Sequence, residues 1–114
     1  MNAVFVSLSQ AGLFLSRRLA KDLPARIYGH ENCNLHPGEI SFSSILQVAA
    51  DIFFSYSRIV FFAPAGVVVR AISGLPRDKH FDPAIVQVDP AGRFAVSFLS
   101  GHEGGANELA FFVA

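Results

Sequence analysis

The chain has 114 residues, of which 52% are hydrophobic and 16% charged, and its nine lysines and arginines balance its nine aspartates and glutamates. This composition excludes a disordered chain, which needs low hydrophobicity and high net charge, and a groove for a nucleic-acid backbone, which needs a basic excess. The single cysteine, Cys33, excludes an internal disulfide framework and is typical of a reducing, cytoplasmic setting. We expect no membrane span, because the longest apolar run, residues 59–69, is broken by Pro64 and Gly66.

Strand and helix patterns alternate along the first half of the chain. Residues 3–6 are typical of a short buried strand, and Ser9 can cap a helix over residues 11–23 that Pro24 ends. Residues 25–28 suit a second strand, and residues 29–39 are typical of a loop. Apolar residues at helical spacing then predict a helix that begins after Ser43 or Ser44, with a face formed by Ile45, Val48, Ala49, Ile52 and Phe53.

The second half continues the alternation. Residues 58–63 predict a strand buried on both faces. Residues 67–72 fit either a strand, because they are β-branched, or a helix, and we favour a helix because Gly74 and Pro76 follow as stop signals. Residues 84–88 and 93–99 predict an antiparallel hairpin, joined by the turn Asp89-Pro-Ala-Gly92. A last helix is expected over residues 106–114.

This alternation predicts a single α/β domain with three layers, α/β/α, around a mixed and mostly parallel sheet that carries one antiparallel hairpin. Ligands of such sheets bind beyond the carboxyl ends of strands. Two loops that follow predicted strands are therefore candidate sites: Pro64-Ala-Gly66, and the glycine-rich segment 100–105.

The glycine-rich segment carries the most chemistry. Its glycines let the main chain approach a ligand, and the helix after it offers free N–H groups to an anion. His102 could act as a general acid or base near neutral pH. A plain strand-to-helix turn, with Glu108 facing solvent, is the alternative. The segment matches neither common nucleotide-binding glycine pattern, so nucleotide binding is not predicted.

The other polar clusters are less informative. Arg70 follows Gly66 by one helical turn in an apolar segment, and its partner could be a substrate carboxylate or an acid such as Asp78. The cluster formed by residues 77–82 is typical of a solvated loop. His30, Cys33 and His36 are too few and too irregularly spaced for a metal site, and we predict none.

Several short motifs in the second half resemble a known family. They are Gly66-Val-Val-Val-Arg70, Arg77-Asp-Lys79, Asp82-Pro-Ala-Ile-Val86, Asp89-Pro-Ala-Gly-Arg-Phe94, Ser97-Phe-Leu-Ser-Gly-His102 and Gly104-Gly-Ala-Asn-Glu-Leu109. Together they resemble the N-terminal domain of the CbiG family of cobalamin biosynthesis, the cobalt-precorrin-5A hydrolases. The resemblance is dense over residues 59–110 and is only an outline over residues 1–57.

The resemblance implies a specific reaction. Such enzymes open the δ-lactone of cobalt-precorrin-5A in the anaerobic pathway and release acetaldehyde. The substrate is a cobalt-carrying tetrapyrrole with acetate and propionate arms, so no further cofactor is expected. Anionic arms suit helix N-termini and isolated cations. His102 is then the candidate acid/base and Glu108 a weaker one, and the expected substrate-binding residues are Gly66, Arg70, Lys79, Ser100, Gly101, Gly104, Gly105 and Asn107.

The chain also departs from that family. Family members continue into a middle region and a C-terminal domain, and position 103 is commonly apolar there but is glutamate here. Phe111 and Phe112 stand where polar or basic residues are usual. We therefore expect missing domains or a partner polypeptide, and a homo-oligomer stays open. The alternative function is a non-catalytic module that docks on a separate catalytic domain, and the apolar composition is compatible with it.

Overall fold

A computed structural model describes residues 2–75 and 82–99, and contains six strands and three helices in that part of the chain. The strands are β1 (Ala3–Ser7), β2 (Arg26–His30), β3 (Ile40–Phe42), β4 (Arg58–Phe62), β5 (Ala84–Val88) and β6 (Ala95–Leu99). The helices are α1 (Gln10–Ala20), α2 (Ile45–Ile52) and α3 (Ala65–Ile72). Most of the loop expected over residues 77–83, and the whole of the helix expected over residues 106–114, lie outside the described residues.

The strands form one sheet in the order β3-β2-β1-β4-β5-β6. Neighbouring strands from β3 to β5 run parallel, and only β6 runs antiparallel to its neighbour β5. The predicted mixed sheet with one antiparallel hairpin is thus confirmed. The order also shows that the chain builds one half of the sheet outward from β1, and then returns to build the other half from β4.

Helices cover both faces of the sheet, as predicted. On one face, Phe5, Phe62 and Val86 pack with the α1 stripe of Leu15 and Leu19. On the other face, side chains of the same strands pack with α2 and α3, in a cluster that includes Val6, Ile59, Phe61, Val48, Ile52 and Val68. Side chains of the central strands β1, β4 and β5 alternate between these two buried clusters, so neither face of these three strands is open to solvent.

Helix α1 is shorter than its pattern predicts, ending at Ala20 rather than at residue 23. The Lys21 N–H donates to the Arg18 carbonyl and the Asp22 N–H to the Leu19 carbonyl, which closes the helix in a tighter turn before Pro24. Ser9 is its cap as predicted, because the hydroxyl accepts from the Gly12 N–H at 3.0 Å. No helix in the described part of the chain is long and apolar enough to cross a bilayer.

Two other predictions are decided by the structure. Residues 65–72 form a helix, as favoured, which begins after Pro64 and is followed by Gly74 at a φ of +81°. Ser44, rather than Ser43, caps α2. Strand β3 was not predicted, because three residues are too short to show a pattern and only pairing with β2 makes them a strand.

The hairpin turn forms as the sequence predicts, but β6 begins two residues later than expected. Gly92 adopts a φ of +77°, and its N–H donates to the Asp89 carbonyl. The Arg93 side chain bends back to the Asp89 carboxylate, at 2.8 Å, and lowers the pKa of that carboxyl. The Asp89 N–H donates to the Phe94 carbonyl as part of this turn, and the pairing of β6 with β5 therefore begins at the next residue, Ala95.

Candidate functional site

The strand order places a crevice between β1 and β4. After β1 the chain moves through α1 to β2 on one side, and after β4 it moves through α3 to β5 on the other. Such a point, where the order reverses, is where open α/β sheets bind ligands, outside the carboxyl ends of the strands. The two strands end level with each other, since Ser7 of β1 pairs with Phe62 of β4. We call this place the β1–β4 crevice.

Helix α1 begins against the end of β4 because residue 12 is glycine. A Cβ atom on Gly12 would lie 2.9 Å from the Phe62 carbonyl oxygen and 3.1 Å from the Phe62 Cβ. Real Cβ atoms do not approach a main-chain oxygen so closely. Glycine at this position therefore allows the first turn of α1 to rest directly on β4 and form one wall of the crevice.

Helix α3 begins at the other wall and has no side-chain cap. Its N-cap is Pro64, whose carbonyl accepts from the Val67 and Val68 N–H groups. The N–H groups at the start of any helix have no partner inside that helix, and the N-cap residue Pro64 makes no side-chain hydrogen bond to them. Ala65 and Gly66 are exposed, and a Cβ on Gly66 would meet nothing within 4 Å. The start of α3 is thus open to an anion, which its dipole favours.

Arg70 lies one helical turn after Gly66 and is exposed. It pairs with no acid among the described residues, and Asp78, the acid considered from the sequence, lies outside them. A guanidinium and the first amides of a helix are both groups that favour carboxylate or phosphate ligands. The structure therefore brings together the two described members of the predicted binding set, Gly66 and Arg70, on α3.

Gln87 supports the turn that leads into α3. It is 2% exposed, and its side-chain amide Nε2 donates to the Ala63 carbonyl at 2.8 Å. Its Oε1 has no hydrogen-bond partner among the described residues, and the same is true of the Ser7 Oγ at the end of β1. Buried polar atoms without partners are rare and costly. Two of them therefore flank the β1–β4 crevice, one on each face of the sheet.

The loop between β2 and β3 is tied to α1 by a partly buried ion pair. The Arg17 guanidinium donates to both Glu39 carboxylate oxygens, at 2.8 Å and 2.9 Å, and to the Asn34 carbonyl. The Arg17 hydrogen bonds lower the pKa of Glu39 despite its burial, and the His36 N–H lowers it further. The loop is thereby held beside the start of α1, where the Asn34 N–H donates to Gln10.

This ion pair predicts a stability loss in acid. Because the pKa of Glu39 is lower in the folded chain than the ordinary value of about 4.3, the pair stabilises the fold above that value, and this contribution is lost as the pH falls through the lowered folded pKa. Urea titrations should show that, between pH 6 and pH 3, the free energy of unfolding of the wild type falls by about 1 kcal/mol more than that of Glu39→Gln. Glu31→Gln, a change of an exposed acid in the same loop, should behave like the wild type. Equal losses in all three chains would contradict a role for Glu39.

The histidines and the cysteine of this loop do not converge. His30 accepts from the Asn32 N–H through Nδ1 and packs against the Phe42 ring, whereas the Cys33 thiol lies 3.9 Å from the Leu8 carbonyl. Within residues 2–75 and 82–99, no three His, Cys, Asp or Glu side chains gather as a metal ion would require.

The second candidate loop follows a strand that runs the other way. Leu99, the last residue of β6, pairs with Ile85 near the start of β5, whereas Ala95 pairs with Val88 at its end. The strands that precede the two candidate loops therefore end at opposite edges of the sheet, because β6 ends where the parallel strands begin. The predicted site residues Lys79, Ser100, Gly101, His102, Gly104, Gly105, Asn107 and Glu108 lie outside the described residues.

Comparison with known proteins identifies the family. The family described as cobalamin synthesis G N-terminal matches residues 47–114. The chain is also 36% identical to a cobalt-precorrin-5A hydrolase of Salmonella typhimurium over 108 residues, which are 94% of the chain. The chain belongs to the CbiG N-terminal family. The resemblance stated from the motifs is thus confirmed.

Two further relatives show what this CbiG N-terminal domain spans. A cobalt-precorrin-5A hydrolase of Priestia megaterium is 42% identical over 71 residues. A crystal structure described as a cobalamin biosynthesis protein G homolog from Sulfolobus solfataricus has the same fold, with a TM-score of 0.75 over 98% of the chain at 21% identity. The chain spans 30% and 19% of the two hydrolases and 33% of the Sulfolobus protein. Further sequence therefore accompanies this domain in its relatives.

The structure adds three residues to this CbiG N-terminal domain that sequence reasoning did not select. Gln87 carries a visible signal, because it is the only polar residue in the otherwise apolar strand 84–88. Ser7 carries a weaker one, as the last residue of a strand that is buried throughout. Gly12 carries none, because nothing near it in the sequence shows that α1 will rest on Phe62.

Proposed function

We propose that this chain is the substrate-binding part of a cobalt-precorrin-5A hydrolase, which opens the δ-lactone of a cobalt tetrapyrrole and releases acetaldehyde. The observation that carries the proposal is the 36% identity to an enzyme of that name over 94% of the chain. No observation specifically favours a non-catalytic docking module instead. Cobalt arrives inside the substrate in this proposal, so the domain needs no metal ligands of its own.

The β1–β4 crevice is the proposed contact for the acidic arms of the ring. A carboxylate there can accept from the uncapped amides of Ala65 and Gly66 while Arg70 neutralises it or a neighbouring arm. Neither the amides nor the guanidinium would contact an atom whose bonds change in the reaction. Such contacts therefore stabilise the bound substrate and the transition state equally. We therefore assign α3 to substrate affinity rather than to the chemical step.

The acid/base chemistry is assigned to residues outside the described part of the chain. Lactone opening needs an activated water, and release of acetaldehyde needs proton transfer to carbon. His102 is the proposed acid/base because an imidazole titrates near neutral pH, and Glu108 is the second candidate.

A chimera tests these roles separately. In the Salmonella typhimurium hydrolase, this chain replaces the 108 matching residues, and acetaldehyde release is measured. Arg70→Ala should raise KM by about tenfold with little change in kcat, since uniform binding is lost. His102→Asn should lower kcat by about a hundredfold or more.

Arg26→Ala is the matched control, because Arg26 is an exposed cation at the amino end of β2, away from the crevice. It should change neither constant. Unchanged KM in Arg70→Ala would refute the crevice contact, and unchanged kcat in His102→Asn would refute the catalytic assignment.

A further inference from the structure

The outward surface of α1 carries an aromatic and cationic patch that the β1–β4 crevice does not use. Phe14, Arg18 and Lys21, which we call the α1 patch, line a concavity of about 500 Å³ together with Arg17 and His36. Phe14 is 57% exposed, although it lies in the middle of a helix whose other face is packed on the sheet. The patch is therefore formed by one helix and the edge of the β2–β3 loop.

The charge of the α1 patch is one-sided. Arg17 is already paired with Glu39, but Arg18 and Lys21 pair with no acid among the described residues. Within the part of the chain that the structure describes, no Asp or Glu lines the concavity. Two free cations thus stand together on a chain whose net charge is zero.

The helix dipole accounts for only part of this arrangement. Cations in the last turn of a helix interact favourably with its C-terminal end, which explains Arg17 and Arg18 without a ligand. It does not explain an exposed phenyl ring beside them, with the Arg18 guanidinium carbon 5.9 Å from the ring centroid. An exposed aromatic face with flanking cations is suited to a flat ligand that carries anionic groups.

We propose that the α1 patch binds a flat ring with carboxylate arms, with Phe14 against the ring and Arg18 and Lys21 paired with the arms. The ligand class rests on the proposed function, because a precorrin is a tetrapyrrole with such arms. The patch is distinct from the β1–β4 crevice, since Phe14, Arg18 and Lys21 lie beyond the first turn of α1, which is the part that rests on β4, and Phe14 is exposed on the outward surface. It gives the ring a second contact on this domain.

Coproporphyrin III, a tetrapyrrole with four carboxylates, is the probe for a direct test. Its fluorescence is titrated with the chain at low ionic strength. The double variant Arg18→Ala/Lys21→Ala should weaken binding by about tenfold or more, and the wild-type affinity should fall with added salt. Phe14→Ala should weaken binding by about fivefold, and Phe14→Leu, which keeps an apolar side chain, should restore only part of it.

Controls separate this inference from the proposed function. Arg26→Ala removes one positive charge elsewhere, where the double variant removes two, and should bind the probe like the wild type. Absence of binding by the wild type, or an equal loss in Arg26→Ala, would overturn the α1 patch. So would displacement of the probe by poly-L-glutamate at equal carboxylate concentration, which would indicate a surface for acidic polypeptides. If Arg70→Ala alone abolishes binding, the α1 patch is wrong and the crevice assignment stands.

Discussion

Gln87→Glu is expected to destabilise the fold by about 3–4 kcal/mol at pH 7, because it places a carboxylate in the core without a cation. The Gln87 amide is 2% exposed and donates to the Ala63 carbonyl. In Gln87→Glu a carboxylate oxygen would replace the amide Nε2. Two hydrogen-bond acceptors, this oxygen and the Ala63 carbonyl oxygen, would then face each other without a donor between them. The substituted acid should therefore hold its proton, with a pKa raised in the folded state.

The sign of the pH dependence follows from that shift. Below the ordinary pKa of a glutamate, about 4.3, the acid is protonated in both states and can donate to Ala63, so the penalty is small. The penalty grows as the pH rises through the interval between that value and the raised folded pKa. Urea titrations at pH 4 and pH 7 should show the difference. Gln10→Glu, the same change at an exposed residue, should cost no more than about 0.5 kcal/mol at either pH. A Gln87→Glu chain as stable as Gln10→Glu at pH 7 would contradict the role assigned to Gln87.

Gly12→Ala is expected to cost about 2 kcal/mol, even though alanine normally stabilises a helix relative to glycine by up to about 1 kcal/mol. The new Cβ would lie 2.9 Å from the Phe62 carbonyl oxygen, a main-chain atom held in the sheet. That oxygen cannot turn aside as the end of a flexible side chain could, so α1 must lift from β4. Thermal and urea denaturation of the variant measure the loss.

Gly66→Ala is the matched control, because Gly66 also lies near the start of a helix but its Cβ would meet nothing within 4 Å. It should raise the free energy of unfolding by about 0.5–1 kcal/mol. In the chimera the same change should raise KM, because the new methyl group would occupy space that the crevice contact assigns to the substrate. Gly12→Ala should thus lower the free energy of unfolding, whereas Gly66→Ala should raise it. Equal effects would show that the distance from Phe62 does not decide the outcome.

Local patterns were enough to predict most of the elements. Ser9 and Ser44 cap α1 and α2, and Asp89 to Gly92 forms the turn, because a hydroxyl or a glycine acts within three or four residues of its own position. A helix was predicted over residues 67–72 in spite of their β-branched side chains, since the stop signal, Gly74, is equally local, and in the structure that helix begins two residues earlier, at Ala65. The short strand β3 was missed because its structure depends on β2 rather than on its own residues.

The candidate site was less predictable than the elements around it. Gly66 and Arg70 were selected from the sequence, because both lie in one helix after a recognisable strand. The hydrogen bond from Gln87 to Ala63 joins residues 24 positions apart, and the contact of Gly12 with Phe62 joins residues on different elements. The spacing of residues along the sequence does not predict contacts between residues that are so far apart in the chain.

By itself, the sequence determined the α/β class, the helix caps, the hairpin turn and, through its motifs, the CbiG family. These properties depend on side chains close together along the chain, or on a string of residues that can be compared directly. Only the tertiary structure decided the strand order, the position of the β1–β4 crevice, the support from Gln87 and the end of β6 at the opposite edge. Those features arise from pairing between strands that are distant in the sequence. The strands are similarly apolar, so their sequences are compatible with several strand orders, and only the packing of the whole sheet selects one of them.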